Sequence, residues 1–143
     1  MTMRFSGGCL CGAVRYTCDA DPIMAGHCHC EDCRRSSGSG HSSHLMVPES
    51  AVQLAGTVKG YARAADSGNL VERFFCPECG AAVFSRNPGM AGLMALRASS
   101  LDDLEVFKPQ MNVFVASAAS WDTRDPALPA FDRMPPGMQG DAS

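Results

Sequence analysis

The sequence lacks the features that would assign it to a membrane or to nucleic acid. No apolar run approaches the roughly 20 residues that a membrane-spanning helix needs, and the first residues, MTMRFSGG, carry no apolar stretch of the secretory type. There is no basic excess, because 12 lysines and arginines against 15 aspartates and glutamates give a net charge of −3. A general nucleic-acid binder is normally basic. We therefore expect a cytoplasmic protein, monomeric or homodimeric, with neither a membrane nor a nucleic-acid partner.

The 143 residues also contain no internal repeat and no low-complexity tract, which indicates one ordinary domain. A hydrophobic share of 45% and a charged share of 19% are typical of globular proteins. Four of the nine prolines fall in residues 126–143. We expect the domain to cover residues 1–131 and an irregular C-terminal tail to cover residues 132–143, with Phe131 as the point where the chain end docks.

Short runs of alternating and β-branched residues predict a mainly β fold with antiparallel connections. Strands are expected at residues 12–18, 24–30, 42–47, 57–64, 70–76, 81–86, 93–99 and 111–117. In a strand over 24–30, Cys28 and Cys30 share one face because strand side chains alternate. Residues 31–40 predict a turn or short helix. Helical segments are also predicted at 49–54 and at 99–104, where Ser100 is the expected cap and Asp103 lies near the helix start.

What the sequence does have is cysteine, with eight residues of which seven fall into three tight clusters. Cys18 stands alone. In a reducing compartment, clustered cysteines bind metal or act in catalysis more often than they form disulfides. A disulfide scaffold would also spread them more evenly. The clusters therefore favour metal sites, and they are Cys9 and Cys11, then Cys28, Cys30 and Cys33, then Cys76 and Cys79.

Two of the clusters each supply half of a closed zinc site. The segment CPECG at residues 76–80 has the spacing at which two thiolates grip one tetrahedral zinc ion. A redox pair of this spacing would start a long helix in a βαβ unit, and none is predicted. In the segment CLC at residues 9–11, the two thiolates also point the same way, and a tetrahedral zinc ion bound to them would need two more ligands. Cys76 and Cys79 are the natural donors, and four thiolates would leave no open position.

The cluster Cys28, Cys30 and Cys33 has no second pair to complete it. Three protein ligands and one open position are the pattern of catalytic zinc. The fourth position can belong to water, an incoming thiol or a nearby side chain, namely His27, His29, His41, His44 or Cys18. Arg34 and Arg35 follow directly. A guanidinium there can offset the thiolate charge and clamp a substrate carboxylate, or one arginine can be solvated while the other packs against the cluster. The acid–base candidates are His27, His29, Glu31 and Asp32, on proximity alone.

Three stretches together carry a family resemblance. GGCLCGAVRY, HCHCEDCRRSSG and CPECG resemble the glutathione-dependent formaldehyde-activating enzyme family, also called the centromere protein V family, from about Ser6 to Phe131. The resemblance implies an Mss4-like fold of stacked antiparallel sheets with zinc sites at the edge. It implies a structural zinc on Cys9, Cys11, Cys76 and Cys79, and a catalytic zinc on Cys28, Cys30 and Cys33. We expect the catalytic zinc to be labile, because it has one protein ligand fewer and its ligands come from one local segment. The resemblance also implies a carbon–sulfur lyase-type activity on a thiol adduct of an aldehyde, with glutathione as the expected thiol.

Three other classes of function fit the sequence less well than an enzyme of this kind. A non-enzymatic zinc-binding accessory or chaperone-like module is the main alternative, but such a module has no need of an unfinished metal site. A methionine sulfoxide reductase of related fold would want two C-x-x-C pairs, and the first pair here is C-x-C. A centromere-type DNA or microtubule binder would want a basic extension. The sequence therefore favours an enzyme.

Overall fold

Ten strands in two sheets form the framework of residues 4–135, the part of the chain that the computed structural model describes. The first sheet is antiparallel, with the order β1 (Phe5–Gly8), β2 (Arg15–Cys18) and β5 (Val52–Ala55). The second has seven strands, in the spatial order β10 (Asn112–Val113), β3 (Met24–Cys28), β4 (Ser42–Pro48), β9 (Leu93–Arg97), β8 (Ala82–Arg86), β7 (Leu70–Phe75) and β6 (Lys59–Ala64). One α-helix, α1 (Glu31–Ser37), connects β3 to β4 within this range.

The two sheets pack together through one apolar core. Tyr16 of β2 and Leu45, Phe84 and Leu96 of the larger sheet are all 2% exposed or less and belong to the same cluster. The buried Tyr16 hydroxyl is hydrogen-bonded to Ser100 Oγ at 2.6 Å. The predicted mainly β architecture of stacked sheets is therefore confirmed. The larger sheet is mixed rather than purely antiparallel, because β10 pairs with β3 in parallel.

A side chain at residue 7 would not fit this core. A Cβ atom there would lie 2.3 Å from the Tyr16 hydroxyl and 2.4 Å from the Ser100 carbonyl oxygen. Gly7 therefore lets β1 approach the rest of the core closely. Sequence reasoning did not find β1 at all, because FSGG has little β-type composition.

The opposite face of the larger sheet carries the chemistry. In β4, Leu45 and Val47 are fully buried in the core, so Ser42, His44 and Met46 lie on the other face. The register places residues of the neighbouring strands beside them on that face. These pairs are Cys28 with Ser42, His44 with Arg97, and Met46 with Ala95.

The predicted elements near the cysteines need correction at two points. The strand predicted at residues 12–18 begins only at Arg15, because the chain turns at Gly12, whose φ is +84°. The strand predicted at 24–30 ends at Cys28, and Cys30 instead caps α1, so the expected shared strand face of Cys28 and Cys30 is wrong. Of the turn or short helix predicted for residues 31–40, the structure shows the helix, Glu31–Ser37.

Three further elements differ from prediction. Residues 49–54 form one 3₁₀ turn (Glu49–Ala51) and then β5, because Val52–Ala55 finds a pairing partner in β2. Ser100 ends a 3₁₀ turn instead of capping a helix, and Asp103 caps the next turn by accepting from the Glu105 N–H. The strand predicted at 111–117 stops after Val113, because Phe114 has a left-handed φ of 58°.

The chain end docks partly as predicted. Phe131 donates its N–H to the Asn112 carbonyl and accepts from the Val115 N–H, so its backbone holds this segment beside β10. The tail predicted for residues 132–143 lies mostly outside the described residues, which end at residue 135. Among residues 4–135, no helix has the length and apolar character to cross a membrane.

Candidate metal and active site

Four cysteine sulfurs from two distant segments lie together. The Sγ atoms of Cys9, Cys11, Cys76 and Cys79 are all within 4.8 Å of one another. Two of the separations are 3.7 Å, between Cys9 and Cys11, and 3.8 Å, between Cys11 and Cys76. Sulfurs at the corners of a tetrahedron with zinc–sulfur bonds of about 2.3 Å are about 3.8 Å apart. The spacing therefore fits one zinc ion with all four positions taken by protein.

Backbone N–H groups in the turns around these cysteines donate hydrogen bonds to two of the sulfurs. The Val14 N–H donates to Cys9 Sγ at 3.2 Å, and the Glu78 N–H donates to Cys76 Sγ at 3.4 Å. The hydrogen bond from Val14 lowers the pKa of Cys9 to about 6. Gly80 closes the second turn with a φ of 78°, and its N–H donates to the Cys76 carbonyl at 2.8 Å. The lowered pKa of Cys9 favours the thiolate, which is the form that binds metal. A hydrogen bond with the Ala13 backbone acts in the same direction on Cys11, but the Cys9 thiol and burial raise the pKa of Cys11 to about 11.

The other three clustered cysteines also converge. The sulfurs of Cys28, Cys30 and Cys33 lie within 4.8 Å of one another. Cys28 ends β3, and Cys30 Sγ caps α1 by accepting the Cys33 N–H at 3.3 Å. The thiols of Cys28 and Cys30 hydrogen-bond to the fully buried Cys33 sulfur and hold the pKa of Cys33 well below its usual value. All three thiols come from one local segment. Because there are only three, a tetrahedral metal bound to them would have one open position.

The ring of His44 contacts a sulfur of this cluster. Its Nε2 lies 3.7 Å from Cys33 Sγ and 2.5 Å from Ser42 Oγ. Its Nδ1 is buried and has no hydrogen-bond partner within residues 4–135. Of the residues predicted as a possible fourth ligand, His44 therefore has the position that fits that role or a role in proton transfer.

The other predicted fourth ligands have different partners. Cys18 is fully buried in the core between the sheets, where its thiol donates to the Ala20 carbonyl. His27 Nδ1 is hydrogen-bonded to Ser43 Oγ, and burial lowers the pKa of His27 to about 4. His29 and His41 are each within reach of a carboxylate far along the chain, described next.

A group that the sequence did not predict forms around Asp122. His41 Nδ1 lies 2.7 Å from the Asp122 carboxylate, and His29 Nδ1 lies 3.4 Å from it. His29 Nε2 is hydrogen-bonded to Asn112 Oδ1 at 2.9 Å. Ligand atoms of the two histidines and Asp122 lie within 4.8 Å of one another, close enough to hold a cation. No spacing signal could reveal this, because Asp122 is separated from His41 by 81 positions.

A buried arginine, Arg97, interacts electrostatically with the three thiols. Its side chain is 3% exposed, and its Nη2 donates to Ser36 Oγ of α1 at 3.0 Å. Burial lowers the pKa of Arg97, while the thiols of Cys33, Cys28 and Cys30 act in the opposite direction. Sequence reasoning missed this residue, because a strand arginine 64 positions after Cys33 carries no motif.

Three charged residues within and after the cluster segment form ion pairs. Arg35 pairs with Glu31 across one helical turn at 3.1 Å, and both side chains are more than half exposed. Asp32 pairs with Arg63 at 3.2 Å. The solvated interpretation of Arg35 is therefore the better one, and Glu31 and Asp32 each take part in an ion pair.

Comparison with known proteins gives a consistent result. A family model described as glutathione-dependent formaldehyde-activating enzyme matches residues 4–117. The chain is 26% identical over 125 residues to a putative glutathione-dependent formaldehyde-activating enzyme of Halomonas elongata, covering 83% of this chain and 80% of that protein. It is 29% identical over 81 residues to an uncharacterized lyase of Schizosaccharomyces pombe, covering 57% and 56% of the two chains.

A solved structure shares the fold. The crystal structure of a Rhodobacter sphaeroides protein superposes with a TM-score of 0.57 at 16% identity, covering 88% of this chain and 98% of that one. At this identity the likeness concerns the arrangement of the sheets alone. It agrees with the stacked architecture described above.

Proposed function

The chain belongs to the glutathione-dependent formaldehyde-activating enzyme family, and from this premise we propose that it is a zinc-dependent carbon–sulfur lyase-type enzyme. Its proposed substrate is the adduct of an aldehyde with a thiol such as glutathione, as in S-(hydroxymethyl)glutathione synthesis. The observation that carries the proposal is the contrast between two sulfur clusters, one with four converging thiols and one with three.

The donor sets fit zinc at both places. Thiolates are the ligands that zinc takes in closed structural sites, and three protein ligands with one open position are its catalytic pattern. We assign the closed site to Cys9, Cys11, Cys76 and Cys79, and the catalytic site to Cys28, Cys30 and Cys33. When bound at the second site, zinc supplies a Lewis acid that lowers the pKa of a thiol or water and polarises an oxygen.

The protein's own groups support the reaction around that site. Addition of a thiol to an aldehyde forms one carbon–sulfur bond, breaks the carbonyl π bond and leaves the thiol proton on the oxygen. His44 Nε2, beside Cys33 Sγ and Ser42 Oγ, is in place to hold that proton. The buried guanidinium of Arg97 offsets the negative charge of the thiolates.

The proposed location is the cytoplasm. None of the eight cysteines, all of which lie within residues 4–135, forms a disulfide, and thiols are kept reduced in the cytoplasm. Glutathione is also the thiol expected in that compartment under the proposal.

Mixing the zinc-loaded protein with glutathione and formaldehyde tests the proposal. The exchange between free and adducted glutathione, followed by NMR, should run about tenfold or more above the uncatalysed rate. The matched control is Cys18→Ala, which removes a thiol outside both clusters and should keep the acceleration. If neither glutathione nor any other small thiol shows acceleration, the proposal fails and the non-enzymatic accessory module becomes the better account.

A further inference from the structure

A cavity of about 100 Å³ borders the three-cysteine cluster on the same face of the larger sheet. Cys28 and His44 form part of its lining. From there the lining continues along the strands to Met46, Ala95 and Ser85, which the strand register places side by side. The cavity therefore begins at the proposed reaction centre and extends away from it along the sheet.

The lining is almost entirely apolar. Five methionines contribute to it, and Val71, Leu93 and Ala95 complete much of the wall. No lysine, arginine, aspartate or glutamate is among the described residues that line it. Methionine side chains are flexible and adapt to apolar ligands of varied shape. The five methionines are Met24, Met46, Met90, Met111 and Met134.

We propose that this cavity binds the apolar substituent of the substrate aldehyde, so that the enzyme acts on the propanal and butanal adducts in preference to the acetaldehyde adduct. This inference rests on the proposed function. The charged groups of glutathione cannot occupy an apolar cavity without a large desolvation cost. The substituent on the aldehyde carbon is the part of the adduct that can, because it is attached to the reacting atom itself.

Formaldehyde has only hydrogen at that position and would leave the cavity unused. An apolar cavity of about 150 Å³ can bind benzene, so a volume of about 100 Å³ suits a chain of a few carbons. Each methylene that leaves water for such a site contributes about fourfold in kcat/KM when the contact persists in the transition state. The carbon–sulfur bond forms and breaks as before, with no oxidant or reductant.

The kinetic test uses the glutathione adducts of acetaldehyde, propanal, butanal and pentanal, which have similar intrinsic reactivity. In the wild type, kcat/KM should rise about fourfold per carbon up to butanal. Ala95→Leu, which fills the cavity beside Met46, should flatten the series. The matched control is Ala62→Leu on the exposed strand β6, outside the cavity lining, which should leave the series unchanged.

A binding measurement without turnover keeps the two proposals separable. In protein carrying ¹³C-methyl methionine, the unreactive probe 1-butanol should shift the methyl signals of Met24, Met46 and Met111. The signal of Met94, which is buried in the core on the other face, should not move. Ala95→Leu should abolish the shifts.

The outcomes distinguish the inference from the function it rests on. Turnover of the formaldehyde adduct with a flat alkanal series, or no methionine shift with 1-butanol, overturns the cavity assignment and leaves the proposed function standing. Absence of turnover with every aldehyde overturns the proposed function, and the substrate assignment falls with it even if 1-butanol binds.

Discussion

Cys76→Ser should lower the free energy of unfolding by about 5 kcal/mol or more, a large part of the total for a domain of this size. Cys76 is fully buried at the end of β7, and its sulfur lies 3.8 Å from Cys11 Sγ. Under the proposed assignment, the four-thiol cluster ties the loop after β1 to the turn after β7. Losing one ligand therefore removes metal-binding energy that is also folding energy. Thermal and urea unfolding followed by circular dichroism measure the change.

The control for this variant is Cys18→Ser. Cys18 is also fully buried, but it belongs to neither cluster and already donates to the Ala20 carbonyl. A serine hydroxyl there can keep a backbone partner, so the cost should be only about 1–2 kcal/mol. Equal losses in the two variants would mean that burial of a thiol, and not a metal site, explains the sensitivity of Cys76.

Cys30→Ser should abolish turnover while changing the free energy of unfolding by about 1 kcal/mol or less. The structure gives a specific reason for the small change. Cys30 caps α1 through a bond from the Cys33 N–H to its side chain, and serine is among the preferred residues at that position. The substitution thus keeps the helix cap and removes one of three proposed zinc ligands. Activity and zinc content should fall together, by about a thousandfold and by one equivalent.

Retained activity in Cys30→Ser would exclude this cluster as the reaction centre. A loss of stability as large as that of Cys76→Ser would contradict the assignment of one structural and one catalytic site. Cys79→Ser, measured in parallel, should resemble Cys76→Ser because Cys79 belongs to the closed cluster.

Much of the site could be predicted because cysteine spacing is a short-range signal. The spacing within each of the pairs Cys9–Cys11 and Cys76–Cys79 indicated two of the four ligands of a tetrahedral zinc ion. The structure brings the four sulfurs together. Strand prediction succeeded where side chains alternate, as in β4, with Leu45 and Val47 facing the core. These features depend on residues that are neighbours in sequence, so local pattern was enough.

The rest of the site depends on contacts between distant segments. Arg97 reaches α1 across 61 positions, and Asp122 reaches His41 across 81. The helical prediction at residues 49–54 failed for the same reason, because pairing with β2 made Val52–Ala55 a strand. The α1 cap on Cys30 was missed because sulfur is not among the usual capping groups.

The most direct test of the two-site assignment is stepwise removal of zinc with a chelator, while elemental analysis, turnover and far-ultraviolet circular dichroism are recorded on the same sample. The three-cysteine site has an open position and ligands from one local segment, so its zinc should leave first. The account predicts that this first equivalent leaves with complete loss of activity and an unchanged spectrum, and that the second leaves only as the protein unfolds. Release of both equivalents in one step with unfolding, or full activity after the first has gone, would contradict it.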